Sequence, residues 1–189
     1  MRFSPLFLAP LLLLTACDSD DPGGGDGAGD EELITSVVIT LTPQGGGSAV
    51  RLTATDENGD GVGVEYGARG VLAAGTTYSG TITLRDEPNN VDVNEDVEDE
   101  AEAHLFAYGS SVSGVTVAIT DTESDYTDDN ENGGDYAVGL TFDVVVGAGA
   151  SGDGTLSATL YHFDDGPKTS STATSDDTDI ELAFPISVQ

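Results

Sequence analysis

The chain has 189 residues and a formal net charge of −30, because 35 acidic residues outnumber five lysines and arginines. A surface this acidic repels nucleic acid and anionic lipid headgroups, which excludes polyanions as partners. The same charges repel each other and oppose compaction unless salt screens them, and in molar salt the Debye length is only about 3 Å. The composition therefore predicts a halophilic protein that attracts cations. General solubility is the alternative explanation.

The first segment is a short apolar run with a positive charge near its start. Residues 1–17 read MRFSPLFLAPLLLLTAC, and an apolar part of about a dozen residues is too short to span a bilayer. This length and the preceding Arg2 are typical of a secretory signal peptide. The run ends in LTAC, which resembles the lipobox of bacterial lipoproteins. We expect a signal peptide over residues 1–16 and lipidation of Cys17; an ordinary signal peptide with a chance cysteine is the alternative.

The next stretch, residues 17–32, begins with the lipidated cysteine and continues as DSDDPGGGDGAGDEE. Its Gly and Asp content predicts a flexible, self-repelling tether that holds the folded domain away from the membrane. An acidic run after the lipidated cysteine resembles the surface-export signals of some Gram-negative lipoproteins. In other Gram-negative bacteria an Asp at this position retains the protein at the inner membrane. Of these two alternatives we expect anchoring at the outer membrane, with exposure at the cell surface.

From residue 33 onward, apolar and polar residues alternate with the period of two that is typical of half-buried strands. Valine and threonine are common in these runs, and clusters of Gly, Asn and Asp separate them. The alternating apolar positions are Val37, Ile39 and Leu41; Val50, Leu52 and Ala54; Tyr78, Ile82 and Leu84; Val115, Val117 and Ile119; Val138, Leu140, Phe142 and Val144; Leu156, Ala158 and Leu160; and Ile180, Leu182, Phe184, Ile186 and Val188. Weaker strand patterns cover residues 62–72 and 105–108.

This pattern predicts a mainly β fold over residues 33–189. Short alternating runs separated by turn signals favour an antiparallel β-sandwich, here of about eight or nine strands. Pro185 lies inside the last run and lacks an N–H for the sheet. It therefore predicts an edge strand or a bulge at that position.

One segment departs from the strand pattern. Residues 93–104 read VNEDVEDEAEAH, in which Val93, Val97 and Ala101 recur every four residues along one helical face. Asn94 is the predicted N-cap. Acids four residues apart repel each other by a few tenths of a kcal/mol, roughly, and acids near the C-terminal end oppose the helix dipole. We expect a short acidic helix that ends at His104 and depends on packing, salt or a bound cation.

The chain has only two histidines, His104 and His162. On the predicted helix, His104 follows Glu100 by one turn on the same face. His162 shares a face of its strand with Leu160. If that face turns toward the helix, both imidazoles and the Glu100 carboxylate form a two-nitrogen, one-carboxylate site for Zn, Fe or Cu. The alternative is a helix-end histidine and an unrelated strand histidine.

Two acidic loops match the first half of an EF-hand calcium loop, in which oxygen-bearing side chains alternate before a glycine. The first loop contains Asp56, Asn58 and Asp60, and the second contains Asp128, Asn130 and Asn132. Neither loop has the bidentate Glu that completes an EF-hand, and predicted helices flank neither. The loops therefore indicate calcium sites or, as the alternative, polar hairpin turns in an acid-rich chain.

Several stretches of the domain together point to one family. They read ELIT at residues 32–35, LTPQGGG at 41–47, LAAGTTY at 72–78, DEAEAH at 99–104 and LYH at 160–162. They resemble a lipoprotein family of Gram-negative bacteria that carries the label "type 1 periplasmic binding fold superfamily protein". The molecular function of that family is undefined, so the resemblance implies an envelope lipoprotein without naming an activity. The label would imply two doubly wound α/β lobes, whereas the strand pattern predicts a sandwich.

Motifs of enzymatic chemistry are absent from the sequence. There is no G-x-S-x-G, no H-E-x-x-H and no glycine-rich loop before Lys-Ser/Thr, and the single cysteine, Cys17, is expected to carry lipid. We expect a non-enzymatic binding or accessory module. Its expected partners are the membrane, through the lipid, and an outer-membrane nutrient receptor. The alternative is a structural envelope lipoprotein whose loops bind cations for stability.

Overall fold

The computed structural model describes residues 32–128, 133–164 and 166–189. Within these ranges one α-helix, α1 (Val93–Asp99), and one 3-10 helix (Glu123–Asp125) accompany eleven strands. The strands are β1 (Ser36–Pro43), β2 (Val50–Thr55), β3 (Glu65–Tyr66), β4 (Gly70–Leu72), β5 (Thr77–Asp86), β6 (Val91–Asp92), β7 (His104–Ser110), β8 (Val115–Ile119), β9 (Thr141–Val146), β10 (Gly152–His162) and β11 (Asp177–Val188). The predicted signal peptide, Cys17 and nearly all of the tether lie outside the described residues.

The strands form two sheets, which confirms the predicted mainly β, sandwich-like fold. The larger sheet has the order β3-β2-β1-β5-β9-β8, with β6 beside β5, and the smaller sheet has the order β4-β11-β10-β7. Neighbouring strands are antiparallel except β4 and β11, which are parallel. The strand count exceeds the prediction because residues 62–72 contain two short strands and residues 91–92 form another.

The predicted alternation is seen in the burial of the strands. In β1, Val37, Ile39 and Leu41 are buried between less buried neighbours. They meet side chains of the smaller sheet such as Phe184 in one continuous core. Fully burying a side chain of this size stabilises the fold by about 1.5–3 kcal/mol. Gly80 in β5 lies opposite Phe142, and a Cβ at this glycine would collide with the phenylalanine ring.

Pro185 lies where β11 is locally an edge, which is one of the two predicted alternatives, and the strand has no bulge there. It lies opposite Thr155 in unbroken register, and β4 pairs with β11 only from Ile186 onward. The missing N–H is tolerated because the neighbouring strand begins one residue later. The register shift in the β10–β11 hairpin lies instead between Leu160 and Tyr161.

The acidic helix is shorter than the sequence predicted. It ends at Asp99, and its N-cap is Asp92, whose side chain accepts a hydrogen bond from the Asn94 backbone. The Asn94 side chain instead binds β5, because its Oδ1 accepts from the Leu84 N–H at 2.7 Å. Repulsion between neighbouring acids and the lack of a basic residue in the last turn explain the early end.

The early end of the helix places His104 differently from the prediction. This histidine is the first residue of β7 and not the last residue of a helix. The predicted apolar face does pack inward, since Val93, Val97 and Ala101 are all buried. In the part of the chain that the structure describes, no helix is long and apolar enough to cross a membrane.

Candidate metal centre

The two histidines meet at one end of the smaller sheet. His104 begins β7, His162 ends β10, and the two residues lie directly opposite each other in the antiparallel register. Side chains at such positions point to the same face of a sheet. The imidazole rings are stacked, with centroids 4.6 Å apart and an interplanar angle of 26°.

A β-bulge adds a carboxylate to this pair. In the β10–β11 hairpin Leu160 pairs with Ile180, but Tyr161 pairs with Thr178. Asp179 is therefore the extra residue of the bulge, and bulges reorient a side chain relative to a regular strand. Asp179 Oδ1 lies 3.5 Å from His162 Nδ1, and Asp179 Oδ2 lies 3.7 Å from His104 Nε2.

A second carboxylate comes from the segment that precedes β1 in the larger sheet. Glu32 Oε1 lies 3.1 Å from His104 Nε2, and Glu32 Oε2 lies 3.8 Å from His162 Nδ1. The predicted boundary assigned this residue to the tether, whereas its side chain contacts the folded domain. One potential ligand atom from each residue of the set Glu32, His104, His162 and Asp179 lies within 4.8 Å of the others. We call these four residues the His–carboxylate cluster.

The His–carboxylate cluster is buried and incompletely hydrogen-bonded. The side chains of His104, His162 and Asp179 have no exposed surface, and that of Glu32 is 10 % exposed. Six of their nitrogen and oxygen atoms are buried without a hydrogen-bond partner. Buried polar groups normally have such partners, because leaving them unpaired costs free energy. Five of these atoms face one another, all except His162 Nε2, and a cation bound between them would satisfy their lone pairs.

The outer nitrogen of each ring lies beside an acceptor. His104 Nδ1 is 3.1 Å from the backbone oxygen of Glu100, and His162 Nε2 is 3.4 Å from Asp164 Oδ1. A proton on each outer nitrogen leaves His104 Nε2 and His162 Nδ1 with lone pairs that face the cluster. Metal-binding histidines commonly have this arrangement, in which an outer acceptor orients the ring.

Glu100 therefore contacts His104 in a different way from the one predicted. Its backbone carbonyl orients His104, and its carboxylate is not part of the cluster. The reason is that α1 ends before Glu100, so the one-turn relationship to His104 does not exist. Sequence reasoning brought out both histidines and missed Glu32, Asp164 and Asp179, since nothing in their local sequence separates them from the other acids.

The electrostatics of the cluster reflect two carboxylates held close together in a desolvated site. Burial raises the pKa of Asp179, and the negative charge of Glu32 raises it further, to about 8. Burial also raises the pKa of Glu32, but the charge of the adjacent His104 ring outweighs this and holds the pKa at about 2. Burial lowers the pKa of His104, and Glu32 more than offsets that effect, so the net direction is upward. A divalent cation would replace the protons that these groups retain.

A buried lysine binds the backbone next to the cluster. Lys168 is 1 % exposed, and its Nζ donates to the backbone oxygens of Ala101 and His104, the latter at 2.7 Å. Glu123 Oε1 lies 2.9 Å from the same Nζ. Burial lowers the pKa of Lys168, while Glu123 opposes the shift. The two hydrogen bonds from Lys168 hold the backbone where His104 begins β7, and Glu123 compensates the charge of the lysine.

The first predicted calcium loop is closed by its own hydrogen bonds. Asp56 Oδ2 accepts from the Gly61 N–H at 2.7 Å, and Asp60 Oδ1 accepts from the Val62 N–H at 2.9 Å. Asn58 is exposed, and its N–H lies 3.4 Å from Asp56 Oδ1. These contacts are typical of a polar turn. Calcium binding by this loop stays a prediction.

The second predicted calcium loop is described only in part. Asp128 is exposed at the edge of the described range, and Asn130 and Asn132 lie outside the described residues. Calcium binding by this loop also stays a prediction.

The ligand set defines the class of site. Two imidazole nitrogens and two carboxylates around one buried point suit a divalent first-row transition metal. No protein-family model matches the chain, and no curated protein or solved structure matches it either. The His–carboxylate cluster itself is therefore the basis for a functional proposal.

Proposed function

We propose that this chain is a lipid-anchored, non-enzymatic binding module of the bacterial cell envelope that holds one divalent transition-metal ion in the His–carboxylate cluster. The observation that carries the proposal is the convergence of four side chains with five buried, unpartnered atoms: Glu32 Oε2, His104 Nε2, His162 Nδ1 and both Asp179 oxygens. No other group of three or more His, Cys, Asp or Glu residues with this convergence occurs in the described ranges.

Zinc fits the spacing of the cluster. Ligand atoms at about 2.0–2.1 Å from a tetrahedral zinc ion lie roughly 3.3 Å from each other. The nitrogen–oxygen distances in the cluster run from 3.1 to 3.8 Å. With one ligand atom from each residue, the atoms lie within 4.8 Å of one another, so zinc would draw the four side chains together by roughly 1 Å. Copper and iron remain in the same ligand class.

A site in which protein side chains supply all four ligands favours metal binding over catalysis. Catalytic zinc sites use three protein ligands and keep the fourth position for water or substrate. Here four side chains surround the point, and three of them have no exposed surface. The absence of catalytic motifs from the sequence supports the same proposal.

The placement in the cell envelope follows from the sequence of the first 32 residues. The LTAC sequence at Cys17 supports lipidation, and the acidic Gly-rich tether supports a domain held away from the membrane. The resemblance to Gram-negative lipoproteins favours the outer membrane. A metal-binding module at that location would work beside an outer-membrane nutrient receptor, which is the partner we propose.

A structural role for the metal is the second candidate. Glu32 precedes β1 of the larger sheet, whereas the other three residues of the cluster belong to the smaller sheet. A bound ion would therefore fasten the two sheets together, as expected for an envelope protein stabilised by cations.

Metal content tests the proposal. Full-length lipidated protein in detergent is exchanged against zinc and analysed for bound metal, together with His104→Ala and His162→Ala. We expect about one zinc ion per chain in the wild type and much less in each variant. Equal zinc content in all three proteins would overturn the proposed site. Slow zinc release combined with loss of folding on chelation would favour the structural role.

A further inference from the structure

We propose that Glu32 is the exchangeable ligand of the metal centre, and that a small anion such as a carboxylate or azide can take its position on the metal. On this proposal the ion enters and leaves through the opening that Glu32 covers. The inference rests on the proposed function and adds how the site is loaded and what it can bind besides the metal.

The four ligands are unequal in how they are held. His104, His162 and Asp179 lie on three hydrogen-bonded neighbouring strands, β7, β10 and β11, and their side chains have no exposed surface. Glu32 lies outside regular secondary structure, and its side chain is the one with contact to solvent. Three ligands therefore form a rigid platform, and the fourth closes it.

In the described part of the chain, the segment that carries Glu32 is anchored to the larger sheet at Ile34 and Thr35. Ile34 is buried, and the Thr35 N–H donates to the Arg85 oxygen at 2.9 Å. The Thr35 oxygen accepts from the Asp56 N–H, also at 2.9 Å. Leu33 is 44 % exposed and lies between this anchor and Glu32. A rotation at Leu33 would move the carboxylate away from the histidines without breaking these hydrogen bonds.

The neighbouring groove does not offer another route. A cavity of about 390 Å³ runs along residues 178–182 and the loop at residues 59–61. Asp179 lines this cavity, yet its side chain has no exposed surface, so the residue presents its backbone there. The carboxylate of Asp179 is therefore not open to the groove, and the one side chain of the cluster with solvent contact is that of Glu32.

Without Glu32, the site would have three protein ligands and one free coordination position on the metal. His104, His162 and Asp179 are a two-nitrogen, one-carboxylate set, which holds a metal ion and leaves a coordination position free. Glu32 occupies that position as an anion. Another anion of similar size can replace it there, whereas a neutral apolar molecule would not compensate the charge of the ion.

Zinc release tests the role of Glu32. Zinc-loaded full-length wild type, Glu32→Ala, Glu32→Gln and Asp179→Asn in detergent are mixed with a chromophoric chelator, and the release rate is followed. We expect both Glu32 variants to hold one zinc ion and release it at least about tenfold faster than the wild type. Asp179→Asn, the matched platform variant, should bind little zinc. Release at the wild-type rate from both Glu32 variants would overturn the inference, as would loss of zinc from both to the level of Asp179→Asn.

Azide tests the open position. In the cobalt-loaded proteins, azide should shift the visible absorption of Glu32→Ala at concentrations at least about tenfold below those needed for the wild type. An unresponsive spectrum in Glu32→Ala would overturn the anion site. If the wild type takes up neither zinc nor cobalt, the proposed function fails. If it takes up either ion and the Glu32 variants behave like it, only the role of Glu32 fails.

Discussion

His104 and His162 stack at the end of the smaller sheet, fully buried, with ring centroids 4.6 Å apart. Two carboxylates face the same pair, so the site holds four ionisable groups, three of which have no exposed side-chain surface. Desolvation makes such a cluster costly for the protein alone, and a divalent cation converts the same lone pairs into bonds.

The first prediction concerns pH. In chelator-treated protein, Asp179 keeps its proton up to a pKa of about 8, whereas in the unfolded chain it loses it near 4. The stability that this proton provides is therefore lost as the pH rises from about 4 to 8. The raised pKa of His104 also makes the folded state less stable as the pH rises above about 6.5. The lowered pKa of Glu32 removes stability only as the pH falls from about 4.5 toward 2.

We therefore expect the melting temperature of metal-free protein to fall between pH 5 and pH 8. The stabilisation by added zinc should grow over the same interval, because zinc displaces the retained protons. Thermal unfolding with and without zinc measures both effects. Asp179→Asn is the control and should flatten the metal-free curve. A metal-free melting temperature that is constant from pH 5 to pH 8 would contradict the prediction.

The second prediction separates Asp164 from Glu100. Asp164 contacts His162 through its carboxylate, whereas Glu100 contacts His104 through its backbone. Asp164→Asn should weaken zinc binding by about 10–100-fold, as for other residues that orient metal-binding histidines. Glu100→Gln should leave zinc affinity unchanged. Competition with a chelator of known affinity measures both variants, and a large loss in Glu100→Gln would favour the arrangement predicted from sequence.

The third prediction concerns the buried lysine. Lys168→Met removes the cation beside Glu123 and the donor to two backbone oxygens, so the free energy of unfolding should fall by about 3–5 kcal/mol. Arg69→Met is the control, since Arg69 and Asp153 form an exposed pair that should contribute little. Urea unfolding of both variants measures the difference. Equal midpoints would mean that Lys168 is not part of the support of His104.

The fourth prediction concerns salt. With a net charge of −30, self-repulsion should lower stability in dilute buffer and weaken as the Debye length shortens. The melting temperature should therefore rise from dilute buffer to molar sodium or potassium chloride, and by similar amounts with either salt. A melting temperature that does not change with salt would argue against a protein adapted to brine.

The fifth prediction concerns the anchor. If Cys17 carries lipid, Cys17→Ser should leave the precursor unprocessed or release the protein from membranes. Membrane fractionation and the mass of the product measure this. Ser19→Ala is the control and should be processed and retained like the wild type. Unchanged processing and membrane retention in Cys17→Ser would contradict the lipoprotein assignment.

The fold was predictable because its signals are local and repeated. Alternation in runs such as that around Ile39 determines which side chains can face a core, and this periodicity survives in any sheet arrangement. The inward face of α1 was predictable for the same reason. The end of the helix was not, because its last turn depends on charges and on where β7 begins.

The candidate site was only half predictable. The sequence determines that two histidines exist and that His162 shares the face of Leu160. Which of 35 acids faces them depends on long-range geometry. The bulge at Asp179 arises from the register of β10 against β11, and Glu32 comes from the segment that precedes β1 of the other sheet. Local patterns carry no information on such pairings, because strand register and sheet packing are set by contacts between residues far apart in the chain.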